Sequence, residues 1–299
     1  MTRHPEPFFL DIEPGPQGRR FCLHHRPQGH LRGLVVHVHP FAEEMNKSRR
    51  MAALQSRAMA DAGLAVLQID LIGCGDNTGD FGDANWAQWV ADVVAACCWL
   101  QRRHGDTAHD AQPLPLWIWG HRAGALLAVQ AAQQLETTCN FLFWQPAISG
   151  KALLHQFLRL RAASDLTGGQ AKVVMALLRD DLAAGRSVDV AGYTLSAALC
   201  AGLEQAQLKP PALSAPNIGQ VVWIELSSQD EATLSPAAEI SSDEWQAAGW
   251  SVHTQVAHGP AFWQTTEIED APALLVASLA AIHQADIATP QRTAKAQAG

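Results

Sequence analysis

From Leu34 the chain alternates between short runs that are apolar at every position and longer runs whose apolar residues recur at helical spacing. GLVVHVHP opens the series with a β-branched run over Leu34 to His39. A helix is predicted over Ser48 to Ala62, a buried strand over LAVLQIDL (Leu64 to Leu71), and a long helix over NWAQWVADVVAACCWLQ. In that helix Trp86, Trp89, Val90, Val93, Val94 and Cys97 fall at spacings of three and four and build one apolar face. PLWIWG is the next strand, ending at Gly120; a helix follows from Ala123 to about Gln134, and then the strand NFLFWQP. Strands that are apolar on both sides need cover on both sides, and parallel neighbours need crossover helices, so the pattern predicts a mainly parallel sheet flanked by helices.

The alternation breaks from about Lys151 to Asn217. That stretch holds two helical pieces, ALLHQFLRLRAA and AKVVMALLRDDLAA, a short extended VDVAGYTLS and a further helix through Gln207. The strand pattern resumes in QVVWIELSS and WSVHTQVA and closes on the helix EDAPALLVASLAAIHQA. The expected organisation is one core domain, 1–150 with 218–285, and an insertion, 151–217, acting as a helical lid over the carboxyl edge of the sheet, where such folds place ligands. Within the first part of the core, a Pro/Gly-rich leader is followed by one extended segment, RRFCLHHRP, and residues 286–299 are expected to be a disordered tail. There is no internal repeat.

A chain of 299 residues that is 48% hydrophobic can bury one large core. Its net charge of −8 and the lack of any basic run argue against a nucleic-acid partner. The start, MTRHPEPFFLDIEPG, does not read as a signal peptide, and no window reads as a membrane span, so a cytoplasmic protein is expected. Six scattered cysteines without a CxxC pair signal neither zinc nor disulfides. The GCGDNTG loop lacks the Walker lysine and the dinucleotide spacing, so no cofactor is expected.

The segment that carries chemistry is Trp119-Gly120-His121-Arg122-Ala123-Gly124, between a strand and a helix. Glycines two residues either side of a central residue are the signature of a nucleophile elbow, in which the central side chain stands strained at the sheet edge. Here that residue is Arg122. A guanidinium stays protonated and has no lone pair with which to attack a carbonyl, so ordinary serine chemistry is not supported. The backbone N–H groups of Phe41 and Ala123 hold the places of an oxyanion hole. The acid position falls on Asp230, and His258 follows the last strand, although aligning Phe262-Trp263 with the usual ending puts Ala261 in the histidine slot.

Taken together these segments resemble the α/β-hydrolase superfamily over nearly the whole chain. Three runs, HPFAEEMNKSRRM, DLIGCGDNTGDF and AFWQTTEIEDAP, are similar to the exosortase A system-associated hydrolase 2 family, and the resemblance extends from about Phe8 to Leu275. It implies an α/β-hydrolase fold, a bacterial origin beside exosortase and exopolysaccharide genes, and an arginine at the elbow as a family trait. Asn77 departs from the serine that the resemblance leads one to expect after GCGD.

Two readings of Arg122 remain open. In one it is a helix-start cation tied to a nearby carboxylate, with Glu43, Glu44, Asp76 and Asp230 as candidates, because a cation at a helix N-terminus is itself unfavourable. In the other, Arg122 joins Phe41 and Ala123 in a pocket for a substrate carboxylate or phosphate. Glu43 and Glu44 are either solvated loop acids or site residues, Glu44 serving as a base on water. His39 is either a satisfied core histidine or a proton carrier, and His121 flanks the same pocket. Cys74 has no histidine to pair with, and Ser149 follows the strand after the elbow, so neither is a strong nucleophile. The functional expectation is a hydrolase-like enzyme with a non-serine mechanism, using Glu44 or His258 to activate water on an anionic small molecule. The alternative is a silent binding or regulatory module. A homodimer is left open.

Overall fold

The computed structural model describes residues 4–12, 18–105, 114–164, 171–213 and 219–288. The chain runs β1 (Glu6–Asp11), β2 (Arg19–His25), β3 (Gly33–Val38), α1 (Glu43–Asp61), β4 (Leu64–Ile69), α2 (Trp86–Gly105), β5 (Leu116–His121), α3 (Ala123–Ala132) and β6 (Asn140–Trp144). An excursion follows: α4 (Gly150–Ser164), α5 (Ala171–Ala183), β7 (Val188–Val190), β8 (Tyr193–Leu195) and α6 (Ala197–Gln205). It returns to β9 (Gln220–Ser227), α7 (Pro236–Ala247), β10 (Ser251–His258) and α8 (Pro272–Ala288).

Eight strands form one sheet in the order β1-β2-β4-β3-β5-β6-β9-β10. The β1–β2 and β2–β4 pairs are antiparallel and the remaining pairs are parallel. This is the mainly parallel sheet flanked by helices expected from the alternation, in the α/β-hydrolase arrangement that the resemblance implies. Strand β5 shows why both faces must be covered. Leu116 and Ile118 pack with α2 and α3 on one side, while Trp117 and Trp119 pack with Met51 and Met59 of α1 and Leu274 and Ile282 of α8 on the other.

Several boundaries differ from the sequence reading. The leader contains a strand, β1, that hairpins onto β2. Helix α1 begins at Glu43 and not at Ser48, so Glu43 and Glu44 are first-turn helical residues rather than loop acids. Carboxylates there complement the positive end of the helix, which is what the apolar periodicity alone could not register. Helix α7 lies between the last two strands, where only strands were predicted. VDVAGYTLS is a hairpin turned at Ala191 and Gly192, both at positive φ. Helix α8 continues to Ala288, and the rest of the expected tail lies outside the described residues.

The excursion leaves and re-enters the core at one point. Gly150 donates to the Ala206 carbonyl at 2.9 Å and Leu208 to that of Ile148 at 3.0 Å, and Ser149 pairs with Gln207. Ser149 serves this stem, its hydroxyl accepting from Ala152 N–H and the Gln207 amide. Elsewhere in the core, a buried ion pair ties the antiparallel strands to α2: Arg20 Nε donates to Asp92 at 2.7 Å, and Asp92 also accepts from Ile72 N–H and Gln88. Asn77, in the position where a serine was expected, takes Phe21 N–H on its oxygen and donates to the carbonyls of Asp70 and Leu71. A carboxamide spans strand and loop in a way that one hydroxyl does not.

The elbow glycines are fixed by contact. A Cβ on Gly120 would lie 2.5 Å from Ala125 Cα, and one on Gly124 would lie 2.1 Å from the Val38 carbonyl oxygen. Gly124→Ala is therefore expected to destabilise the protein by about 3 kcal/mol or more in urea denaturation, since the obstructing atoms are backbone. A midpoint within error of the unsubstituted protein would show that α3 can back away from β3.

Candidate active site

Arg122 caps α3 with φ 52° and ψ −114°, the strained conformation that the turn from β5 into α3 imposes. The backbone is held on two sides: Arg122 N–H donates to the Trp144 carbonyl, and its own carbonyl accepts from Ala125 and Ala147. Ala42, immediately before α1, has nearly the same angles, φ 51° and ψ −128°. Two strained strand-to-helix turns thus stand side by side at the carboxyl ends of β3 and β5, which are paired neighbours.

The ion pair at the apex joins these two turns. Arg122 Nε lies 3.2 Å and 3.4 Å from the two carboxylate oxygens of Glu44, and Nη2 lies 3.2 Å from the nearer one. The two side chains are 13% and 19% exposed. The pairing has an electrostatic logic. Glu44 sits where the α1 N-terminus welcomes an anion, Arg122 sits where the α3 N-terminus disfavours a cation, and the carboxylate offsets the misplaced positive charge. Burial raises the Glu44 carboxyl above its ordinary pKa, and the Arg122 charge pulls it back only in part. The Trp263 ring covers the guanidinium, with Cζ 5.7 Å from the ring centroid.

The expected anion-hole donors are available. Neither Phe41 N–H nor Ala123 N–H has a hydrogen-bond partner among the described residues. The Phe41 ring is held by Phe81, Trp89 and Phe157 at centroid distances of 5.6, 6.0 and 5.1 Å. Phe157 belongs to α4, so the excursion packs directly on the loop that carries this donor.

The remaining expected residues are dispersed. Glu43 does not meet Arg122; its carboxylate accepts from the Tyr193 hydroxyl at 3.0 Å and from Asn46 at 3.1 Å. Asp76 is exposed and contributes its backbone N–H to Asp70, which also binds Arg49. Asp230 and His258 are 3.9 Å apart at the surface, the acid almost wholly exposed, and among the described residues neither bonds to Arg122 or Glu44. His39 is a satisfied interior histidine: Nδ1 meets the Pro40 carbonyl at 2.8 Å and Nε2 accepts from Leu71 N–H at 3.3 Å. Burial lowers its pKa, so the neutral ring is favoured. His121 is enclosed by Trp144, Phe262 and Trp263 with centroids 5.4 to 5.9 Å away, and burial drives its pKa far down. It props the tryptophan that lies over Arg122. Cys74 is buried with its thiol pKa pushed well up, which removes it as a nucleophile.

Two site neighbours escaped the sequence reading. Trp263 was visible only as part of an ending motif, and Tyr193, the single tyrosine, comes from the β7–β8 hairpin, whose docking on Glu43 no local pattern encodes. A groove of about 550 Å³ between β10 and α8 shares no residue with this site.

The raised carboxyl pKa has a testable sign. A group whose folded pKa exceeds its unfolded value adds stability at low pH that is lost as pH rises through the folded value. The melting-temperature difference between the protein and Glu44→Gln should therefore shift against the protein from about pH 4.5 upward. A pH-independent difference would mean that the Arg122 charge fully offsets burial.

A family model described as serine aminopeptidase, S33 matches residues 29–217. Human protein ABHD12B is 26% identical over 149 residues, 44% of this chain and 38% of that protein, so the match spans well under half of that relative. Among solved structures, Est1E from Butyrivibrio proteoclasticus with ferulic acid bound superposes with a TM-score of 0.59 at 16% identity, over 94% of this chain and 99% of that one. A thermostable carboxyl esterase from Bacillus coagulans gives 0.57 at 15%, over 86% and 91%. XC6422 from Xanthomonas campestris, described as a serine hydrolase without lid, gives 0.53 at 15%, over 96% and 97%. At these identities the structural likeness speaks for the fold, and it is the family-model match over most of the chain that makes this protein a member of the serine aminopeptidase, S33 family of α/β hydrolases.

Proposed function

We propose that this member of the family binds a small molecule at the elbow and does not form an acyl-enzyme. The observation that carries the reading is the apex itself, where the side chain at the strained strand-to-helix turn is a guanidinium paired with Glu44 and, among the described residues, no imidazole hydrogen-bonds to it. An acyl-enzyme needs a nucleophile that a base can deprotonate, and an arginine offers none. The ligand in this reading carries a carboxylate, phosphate or polarised carbonyl, received by the N–H groups of Phe41 and Ala123 beside the guanidinium edge that Glu44 leaves uncovered. The excursion over 150–208 acts as its lid, since Phe157 packs on Phe41 in the loop before α1 and Tyr193 bonds to Glu43 in the first turn of α1. In this reading the ligand belongs to the exosortase and exopolysaccharide system of a bacterium, which is what the resemblance of the three sequence runs implies.

A second reading keeps an enzyme, with Glu44 as general base on a water. Its support is the burial that raises the Glu44 carboxyl above its ordinary pKa. Against it stands the guanidinium that engages both carboxylate oxygens.

A fluorophosphonate probe and p-nitrophenyl esters separate these readings from serine chemistry: no serine labelling and no turnover above buffer are expected. Turnover without labelling, abolished in Glu44→Gln, would favour the second reading, whereas stoichiometric serine labelling would overturn both. Arg122→Ala should lose any melting shift that a panel of small carboxylates and phosphates produces; an unchanged shift would remove the elbow from ligand binding.

A further inference from the structure

Seven large apolar side chains are exposed among the described residues, and their distribution is uneven. Phe9, Ile240, Ile268 and Val276 stand singly on separate segments, as scattered surface apolar residues ordinarily do. Leu160, Val173 and Leu177 are all carried by the α4–α5 pair of the excursion, each more than half exposed. Val173 and Leu177 are four residues apart on α5 and so share a side of that helix. Of α5, only Leu178 is buried, so most of its circumference faces outward.

The charge around these residues is opposite to that of the chain as a whole. Against a net charge of −8, α4 carries Lys151, Arg159 and Arg161 with no acid of its own, Lys151 lying 3.9 Å from Glu204 of α6, and the segment from α5 to Arg186 adds Lys172, Arg179 and Arg186 against Asp180 and Asp181. Asp181 is already engaged by Arg186 at 2.6 Å. Asp180 is the one acid left among the outward positions of α5, beside Lys172 and Arg179. Exposed aliphatic side chains flanked by Lys and Arg, on an otherwise acidic protein, match a surface that is apolar below and negatively charged above.

We infer that the outer face of α4 and α5, with Leu160, Val173 and Leu177 as its apolar contacts and Arg159, Lys172 and Arg179 as its cations, docks on an anionic lipid surface. No described helix is long and apolar enough to cross a membrane, so the contact is peripheral. It places the excursion between lipid and the elbow, and it is independent of whether the elbow catalyses anything.

The test is vesicle flotation of the full chain with phosphatidylcholine vesicles and with vesicles that also contain phosphatidylglycerol. Binding is expected only to the anionic vesicles and should weaken as salt is raised to about 0.5 M. It should fall about ten-fold in Leu160→Ser/Leu177→Ser and in Arg159→Glu/Lys172→Glu, and stay unchanged in Ile240→Ser, an exposed apolar site on another helix. Melting curves identify any variant that fails to fold; the lipid-composition and salt dependence of the unsubstituted protein then still decide. Absence of binding, equal binding to neutral vesicles, or equal loss in Ile240→Ser would overturn the inference. So would a dimer in lipid-free solution that the α4–α5 variants abolish, because the face would then belong to a second copy.

Discussion

The contact on which this site depends is the ion pair between two helix starts. Arg122 occupies a position that is costly twice over: its backbone is forced to φ 52°, and its charge lies at the positive end of α3. The sheet supplies the first compensation, by bonding the Arg122 backbone to β6 and to Ala147 and by pressing α3 against β3 through Gly124. Glu44 supplies the second, arriving from the adjacent turn at Ala42. In a hydrolase elbow the same strain presents a hydroxyl for reaction. Here it presents a charge, and that charge is already answered by the protein.

Such a pair has consequences for the surroundings. Burial disfavours the Glu44 carboxylate and the Arg122 cation beside it offsets that in part, while the nearly enclosed guanidinium takes its hydrogen-bond acceptors from the same carboxylate. Trp263 closes over the guanidinium, and His121, kept neutral by burial, fills the space behind that ring. Asp230 and His258 lie outside this arrangement, at the surface. They meet each other there and, among the described residues, bond to neither Arg122 nor Glu44.

The sheet, its order of elements and the elbow were legible because strand runs such as LWIWG are apolar on both faces and because Gly120 and Gly124 have no room for a side chain. The misread boundaries have a common cause. Glu43 and Glu44 looked like loop residues because hydrophobic periodicity begins only later in α1, while dipole complementarity, which starts the helix, leaves no apolar signature. Strand β1 was hidden inside a Pro/Gly-rich leader, and its pairing with β2 is a tertiary fact. Among the acids proposed for Arg122, sequence could not choose Glu44 over Glu43, since the choice rests on which side of α1 each occupies. Glu43 turns to Tyr193 from the excursion, a partner 150 residues away.

The most direct measurement is a double-mutant cycle on folding stability with Arg122→Met, Glu44→Gln and the pair together. A buried, hydrogen-bonded ion pair predicts that the double variant is more stable than the sum of the single losses allows, with a coupling of about 1–3 kcal/mol. Additive losses, with coupling indistinguishable from zero, would mean that the guanidinium and the carboxylate do not meet in solution, and the account of the elbow would be wrong.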